Sequence, residues 1–453
     1  MIILASTIPA LVHAWQDIYS DFLETTSPVI ELESFPRGVG VAPVSAHIKF
    51  SDFGSGLDEV IVRTRQRRKV NELLRKSLNG ISKGEVIVEF PGKESGLEEG
   101  TATLEIKVFD KSFWSNGAEK DLPLLVDYEK PRVEIISVQH NAHVGGSQLV
   151  FYKAYDNTLA ISGVSIKGRR FIGFPAQGID SELLEPNLFV ALYAIDLENP
   201  PLPADVTVFA EDQAGNSDTK SFYNKILSVN GKRRDVGLSE QFIANKIDSF
   251  LDPKVSSETP LTEKFNLVNQ RLRNVNESQL NSYLQGPRFE KLWDSAFEAF
   301  PATPAILFAD NVNYYLENEF LASSLQINAL YLFPGIRSEV PVVAPGVVLF
   351  TGSLGVYGES VLIDHGLGLV SFYGQLESFQ VAKGDKVNQG DVIGIVGSSG
   401  LALKKSLLFG MRVHGVPVNP QEWFDKSWYH SHITLKIEEL KKDLGIPIYR
   451  PLN

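Results

Sequence analysis

The sequence predicts a mainly β protein that is divided into several domains. The chain contains 36 glycines and 24 prolines, and stretches with helical periodicity are few. Many short segments alternate apolar and polar residues, which is the period of a half-buried strand. At 453 residues the chain is also too long for one hydrophobic core, so we expect roughly three or four domains.

Composition narrows the classes of partner and cofactor. A net charge of -12 and a pI near 5.3 argue against nucleic-acid binding, which requires a basic face. The hydrophobic fraction of 43% is sufficient for packed cores. There are no cysteines, so any metal would have to be held by His, Asp or Glu.

The first segment, residues 1–26, begins with an apolar stretch from Met1 to Trp15 in which His13 is the one ionisable side chain. This stretch is shorter than the roughly 20 residues that span a bilayer, and it lacks the basic start of a signal peptide. Two interpretations stay open, the end of a membrane anchor and an ordinary buried helix.

Two β-sandwiches of the immunoglobulin-like type are predicted next, over residues 27–127 and 128–230. The first contains the alternating segment VSAHIKF, from Val44 to Phe50. The second ends in AEDQAGN, Ala210 to Asn216, a strand end and turn typical of such modules in bacterial surface proteins. The first ends similarly, in VFDKSFWSNG.

Residues 231–325 predict a helical connector. Apolar residues recur at helical spacing in EQFIANKIDSFL, LTEKFNLVNQRLRNVNESQLNSYL and RFEKLWDSAFEAF. Strand patterns return in residues 326–430, with glycine-rich turns between PVVAPGVVLFTG, ESVLIDHG and GDVIGIVG. Residues 431–453 are expected to form a C-terminal tail.

Three segments of the last domain carry a family resemblance. They are IDHGLGLVSFYGQL (Ile363 to Leu376), FQVAKGDKVNQGDVIGIVGSSGLA (Phe379 to Ala402) and HGVPVNPQEWFD (His414 to Asp425). Together they resemble the M23 (LytM-type) zinc metallopeptidases, which cut peptide cross-links in bacterial peptidoglycan. The resemblance implies a LytM-type β domain and a location in the bacterial periplasm or cell envelope.

The resemblance also implies where zinc ligands and catalytic residues would lie. In the family a His and an Asp of an HxxxD segment and the second His of an HxH segment hold zinc, while the first His of HxH and the His of YxHL act on water and the transition state. Here YxHL reads Tyr373-Gly374-Gln375-Leu376, and HxH reads Ser406-Leu407-Leu408. Aligned on Gly335, HxxxD places Phe333 and Arg337 at its two ligand positions, and counting back from Pro341 without gaps shifts both positions by a few residues. Neither register supplies the histidine, because none occurs between His143 and His365. We therefore expect no catalytic residues, no zinc and no other cofactor.

The histidines elsewhere offer no evident replacement. His365 and His414 are expected to be framework residues of the last domain, and His140 and His143 flank a loop of the second sandwich. His430 and His432 would point to one face if they lay on a strand, but they follow the domain and lie outside its groove. His13 and His47 are isolated in the sequence.

Positive charge remains near the vacated site, in Arg337, Lys404 and Lys405. With Tyr373, Gln375 and Ser406 these residues are candidates for a groove that still binds an acidic or extended peptide. The alternative, an eroded groove with surface lysines, stays open.

The sequence thus predicts an inactive M23-like envelope protein that binds a cell-wall amidase, another peptidoglycan enzyme or peptidoglycan itself, and so regulates cell-wall remodelling. A structural or adhesive protein and an active peptidase with an unconventional site are the alternatives. VAKGDKVNQGDVIGIV also has the hairpin pattern of biotinyl or lipoyl carriers, but the lysine at a tight turn that a carrier needs is not found. No nucleic-acid partner is expected, and membrane contact is expected only through an N-terminal anchor.

Overall fold

The computed structural model describes residues 24–317, 319–326, 328–333 and 339–448, with the side chains of 322–326 left out of the description. The predicted mainly β fold is confirmed. The chain divides into two compact units. One comprises the residues up to 132 with 156–160 and 210–218, and the other comprises 133–155, 161–209 and the chain from 219 onward.

The first module consists of two sheets around one core. Ala46, Ile48 and Phe50 are buried while the residues between them are not, because alternate side chains of a strand point to opposite faces. One sheet has the order β1-β3-β6 and the other β2-β8-β7-β4-β5. The strands are β1 (Val29–Ser34), β2 (Gly38–Val39), β3 (Val44–Ser51), β4 (Leu57–Gln66), β5 (Lys69–Ile81), β6 (Lys83–Phe90), β7 (Gly100–Asp110) and β8 (Gly117–Val126).

The second module also has two main sheets, ordered β14-β15-β11-β9 and β13-β12-β16-β17, and a parallel pair of β10 with β18. Its strands are β9 (Arg132–Ile135), β10 (His140–His143), β11 (Ser147–Tyr155), β12 (Leu159–Ile166), β13 (Arg169–Ile172), β14 (Phe174–Pro175), β15 (Leu188–Ala194), β16 (Val206–Asp212), β17 (Ser217–Ser221) and β18 (Asn224–Leu227). The two-sheet construction agrees with the predicted sandwiches. Their immunoglobulin-like type and the domain boundaries stay predictions.

An Asp-to-Asn turn recurs at the ends of the two modules, as their similar sequences suggested. Asn116 donates from Nδ2 to Asp110 Oδ2 at 3.0 Å and to the carbonyl of Glu24 at 3.2 Å. Asn216 donates from Nδ2 to Asp212 Oδ2 at 2.7 Å and to the carbonyl of Asp127 at 2.9 Å. Each asparagine therefore fixes the chain segment that precedes its module.

The region predicted as a helical connector is only partly helical. It contains the helices α1 (Glu240–Phe242), α2 (Pro253–Glu258), α3 (Leu261–Asn266) and α4 (Arg273–Ser282), with wider π-helical turns at Ile243–Ile247 and Leu267–Leu272. It also contains β19 (Arg233–Leu238), β20 (Pro304–Ile306), β21 (Asn311–Leu316) and β22 (Glu319–Gln326). Strands β19, β21 and β22 form a sheet of their own, which the sequence analysis did not predict.

The third predicted helix, residues 288–300, is wrong, and we call this non-helical segment the strap. Its backbone amides bond to neighbouring modules instead of to each other: Leu292 donates to the carbonyl of His365 and Phe297 to that of Trp423, each at 2.9 Å. Trp293 and Phe297 of the strap are buried in an aromatic cluster, with the Trp293 and Trp423 ring centroids 5.4 Å apart. The helical spacing of the apolar residues thus reflects contacts with several partners rather than one helix face.

Ten strands among the described residues form the sheet of the last domain, in the order β20-β23-β30-β27-β26-β25-β28 with β24, β29 and β31 alongside. The strands not yet named are β23 (Leu330–Leu332), β24 (Glu339–Pro341), β25 (Gly346–Ser353), β26 (Glu359–Gly366), β27 (Leu369–Phe379), β28 (Lys386–Val387), β29 (Val392–Val396), β30 (Leu407–Val413) and β31 (Val416–Val418).

The chain after this sheet is helical up to residue 443, where a tail was expected. The helices are α5 (Pro420–Phe424), α6 (Lys426–Tyr429) and α7 (Leu435–Asp443), with a π-helical turn at His430–Thr434. His430 and His432 therefore lie on a helical turn, and the premise of a strand was wrong. None of the helices in the described ranges combines the length and apolar character that a membrane crossing requires. The predicted N-terminal anchor falls almost wholly on residues 1–23, outside the description.

The C-terminal helices pack against the second sandwich through buried polar contacts. The amide of Ser147 donates to Glu422 Oε2 at 2.9 Å, and Trp423 Nε1 donates to Ser147 Oγ at 3.1 Å. Lys436 Nζ donates to Gln148 Oε1 at 2.7 Å. Burial raises the pKa of Glu422 to about 7, because hydrogen bonds from Ser147 only partly offset the loss of solvent.

Candidate functional site

The floor of the candidate groove is β30 with the residue before it. Ser406, Leu408, Gly410 and Arg412 lie on one face and border the cavities beneath the connector. Phe409 lies on the opposite face and packs in the core against other aromatic rings. This alternation follows from the two-residue period of a strand.

The two positions predicted to have lost catalytic histidines lie in direct contact. Ser406 Oγ donates to Gln375 Oε1 at 2.7 Å, and both residues are buried, with exposed fractions of 2% and 1%. Gln375 has a φ of 63°, in the left-handed region that non-glycine residues seldom adopt. A neutral amide cannot act as a general base, so this pair does not activate a nucleophile.

Hydrocarbon occupies the described positions at which the resemblance places zinc ligands. Leu408 is 2% exposed and belongs to a core cluster that includes Phe265 and Val268 of the connector. Phe333 presents its ring to Lys404, whose Nζ lies 3.8 Å from the ring centroid. Neither side chain has a donor atom for a cation, so the residues present do not fit zinc. Arg337 lies outside the described residues, and its role stays a prediction.

The remaining groove candidates differ in their surroundings. Tyr373 is fully buried, and its hydroxyl accepts hydrogen bonds from the Val343 amide and Ser371 Oγ, each at 3.2 Å. This corrects the prediction that Tyr373 lines the groove, because its side chain belongs to the core. Lys405 is exposed and lies 3.7 Å from Glu377.

The connector lies over the groove floor. A small cavity of about 50 Å³ is bounded by Phe242 and Phe265 of the connector and by Tyr331, Phe333 and Ser406 of the last domain. Such a volume holds at most a few water molecules. The described connector residues therefore cover Ser406 and Leu408 of the vacated site, which could not be foreseen from the sequence.

A buried ion pair holds the connector to the floor. Arg412 Nη2 lies 2.8 Å from Glu277 Oε2, and the Tyr357 hydroxyl donates to the other oxygen of the same carboxylate. Burial raises the pKa of Glu277, but Arg412 and Tyr357 outweigh burial, so this pKa lies below its usual value. Arg412 was not among the predicted site residues, although its alternation with Ser406 and Leu408 places it on the groove face.

One of the two predicted framework histidines, His365, is hydrogen-bonded within the protein at both ring nitrogens. His365 is fully buried, with Nδ1 2.7 Å from the Pro345 carbonyl and Nε2 2.7 Å from Ser371 Oγ. Burial lowers the pKa of His365 to about 4. In the described part of the chain, the groups of three His, Asp or Glu close enough to share an ion lie in the first unit, outside the groove: Glu33-His47-Glu85, Glu24-Asp52-Asp110 and Asp127-Asp156-Asp212.

Known proteins with similar sequences share the last domain. Residues 329–420 match peptidase family M23. The murein hydrolase activator EnvC of Escherichia coli is 36% identical over 108 residues, which cover 24% of this chain and 26% of EnvC. The DD-carboxypeptidase/endopeptidase Mpg of Neisseria meningitidis is 43% identical over 77 residues, 17% of this chain and 18% of Mpg.

A longer match is to the peptidoglycan DD-endopeptidase ShyA of Vibrio cholerae, which is 26% identical over 194 residues, 42% of each chain. The chain spans about a quarter of the length of EnvC and less than a fifth of that of Mpg. The matched segment coincides with the β domain that carries Gln375, Ser406 and Leu408. Residues 329–420 of this chain are accordingly a domain of peptidase family M23.

Proposed function

We propose that this chain is a catalytically inactive M23-type protein of the bacterial cell envelope that binds a cell-wall hydrolase such as an amidase, or peptidoglycan, and so regulates cell-wall remodelling. The observation that carries the proposal is the buried Ser406–Gln375 hydrogen bond beside Leu408. A metal-dependent hydrolase needs three protein ligands and an activated water at this place. The described side chains supply neither imidazole nor carboxylate there.

The relatives support two different activities. EnvC is named an activator of murein hydrolases, whereas Mpg and ShyA are named peptidases. The chemistry of the groove floor favours the activator, because Leu408 and the Ser406–Gln375 pair can neither hold an ion nor move a proton. Peptidoglycan remodelling is common to both kinds of relative.

Lys404 is the described groove residue best suited to an acidic partner. Its ammonium group lies over the ring of Phe333, at the edge of the closed site, and its side chain is exposed. The connector covers the floor next to it, so a partner that uses the groove must displace the connector or bind along its edge. Arg337 and Lys405 remain candidates for the same surface.

The experiment uses the purified chain, a purified cell-wall amidase and dye-labelled peptidoglycan. We expect the chain alone to release no dye and to carry far less than one zinc per molecule, and we expect the amidase to release dye faster when the chain is added. Lys404→Glu should weaken this stimulation, while Lys383→Glu, on an exposed hairpin of the same domain, is the matched control.

Two outcomes would replace the proposal. Stoichiometric zinc together with cleaved cross-links would identify an active endopeptidase, the activity that ShyA's name describes. Co-sedimentation with purified cell wall, without any effect on the amidase, would identify a structural or adhesive protein.

A further inference from the structure

A second, larger cavity lies at the junction of three parts of the second unit. Its volume is about 480 Å³, within the range of small-ligand sites. Glu198 of the second sandwich, Asn269 and Arg273 of the connector, and Leu408 and Arg412 of the M23 domain contribute to its wall. Most of the other wall residues are asparagine, glutamine and tyrosine, so this cavity is more polar than the smaller one.

The two arginines in the wall differ in how they are neutralised. Arg412 is paired with Glu277 and also donates to the carbonyl of Gly415 at 3.1 Å. Arg273 donates to Asn269, from Nε to the carbonyl at 3.1 Å and from Nη2 to Oδ1 at 2.9 Å, and its guanidinium lies 5.5 Å from the ring centroid of Tyr357. Within the described residues no carboxylate forms an ion pair with Arg273, although Glu277 attracts its charge over a longer distance. Since a guanidinium has five N–H donors, several remain for a ligand.

Asn269 provides a second donor without an acceptor. Its exposed fraction is 2%, and its Oδ1 accepts from Arg273, which fixes the orientation of the amide. The Nδ2 atom is buried and has no hydrogen-bond partner in the described structure. Buried donors are seldom left unpaired in native proteins, so an unpaired one beside a polar cavity points to a ligand that accepts hydrogen bonds.

The rest of the wall indicates what kind of acceptor fits. Side-chain amides such as those of Gln270, Asn274 and Asn328 can both donate and accept, which suits the N–H and C=O groups of a peptide. The carboxylates of Glu198 and Glu277 border the same cavity and disfavour a group with two negative charges, such as a phosphate. A single carboxylate on a short peptide satisfies both conditions.

We propose that this cavity binds a short peptide by its C-terminal carboxylate, which accepts hydrogen bonds from Arg273 and Asn269. A planar guanidinium can donate two parallel hydrogen bonds to a carboxylate, and its charge makes these bonds stronger than neutral ones. That the peptide comes from peptidoglycan rests on the proposed function, whereas the need for a carboxylate does not.

The test uses the full chain and two probes, a peptidoglycan stem tetrapeptide with a free C-terminal carboxylate and the same peptide as its C-terminal amide. Titration calorimetry should show binding of the free acid and at least about tenfold weaker binding of the amide, since a charge-assisted hydrogen bond is lost. Arg273→Gln should weaken binding of the acid by a similar factor and leave that of the amide little changed. Arg271→Gln, exposed on the same helical run, is the matched control.

Equal affinity for acid and amide, or no binding of either, would overturn this inference. The comparison of the two probes on the unmodified chain decides the matter even if Arg273→Gln does not fold. Stimulation of the amidase is measured separately. If the amidase is stimulated but the free acid does not bind, only the carboxylate site is wrong; if the free acid binds but the amidase is not stimulated, only the proposed function is wrong.

Discussion

Replacing Glu277 by glutamine tests whether the buried ion pair keeps the connector on the groove. The substitution preserves the shape of the side chain and removes its charge. Arg412, which is 5% exposed, then loses its carboxylate partner but keeps its hydrogen bond to Gly415.

The expected loss of stability follows from the burial of the pair. Breaking a buried ion pair by removing one partner costs about 3–5 kcal/mol. The Glu277 side chain is 22% exposed, and glutamine retains one oxygen acceptor for Arg412 or Tyr357. We therefore expect a smaller cost, about 2–3 kcal/mol, for keeping the connector closed.

Hydrogen exchange measures this cost locally, which matters because a chain with several modules need not unfold in one step. A cost of 2–3 kcal/mol corresponds to roughly 30- to 150-fold faster exchange of the amides in α4. The control is Glu72→Gln, which removes an exposed carboxylate paired with Arg75 in the first module. Exchange in α4 should not change in the control.

If α4 exchanged at the same rate in Glu277→Gln and in the unmodified chain, the ion pair would not be what keeps the connector on the groove. A uniform increase over the whole second unit would contradict it in another way, because the pair would then support global folding rather than the closure of the groove. If the proposed function holds, the variant should also stimulate an amidase more strongly.

Three further predictions concern other buried groups. Because burial raises the pKa of Glu422 to about 7, the folded protein keeps a proton that the unfolded chain releases above pH 4.5. Between pH 4.5 and 7 the stability of the second unit should therefore fall by up to about 3 kcal/mol relative to that of Glu422→Gln in denaturant titrations. The comparison with the variant cancels the opposite contribution of buried histidines such as His365, and a constant difference between the two chains would contradict the assignment. Burial lowers the pKa of Lys436 from 10.5 to about 7, so stability should rise between these pH values, and the same titrations on Lys436→Met should show no such rise. Asn216→Ala removes the bonds of a side chain that is 4% exposed and should destabilise the first unit by about 2–4 kcal/mol in thermal melts, whereas the exposed Asn157→Ala should not.

The β part of the fold could be predicted because strand patterns are local. The alternation in VSAHIKF places Ala46, Ile48 and Phe50 on one face of the strand. That face is expected to be buried whichever strands lie beside it. The contact of Gln375 with Ser406 was also foreseeable, because the resemblance places both at one site.

What could not be predicted depends on contacts between distant segments. The strap has apolar residues at helical spacing, yet its amides bond to other modules. Periodicity alone does not distinguish a helix from a non-helical segment that contacts several partners. The connector carries Phe265 into the same core cluster as Leu408, a pairing that no local pattern encodes. The helical turn at His430–Thr434 likewise lies at the start of the predicted C-terminal tail, whose helical structure was not predicted.

The strap restricts how the second unit can move. Lys291 bonds to Gly178 in the second sandwich, while Glu298 bonds to Val343 in the M23 domain, and Trp293 is buried between these anchors. The strap therefore connects the second sandwich to the M23 domain, and separating the two would break hydrogen bonds at both of its ends. A partner that binds to the groove floor therefore has to displace the connector helices that cover Leu408, or bind along their edge, while the strap keeps the sandwich and the M23 domain joined.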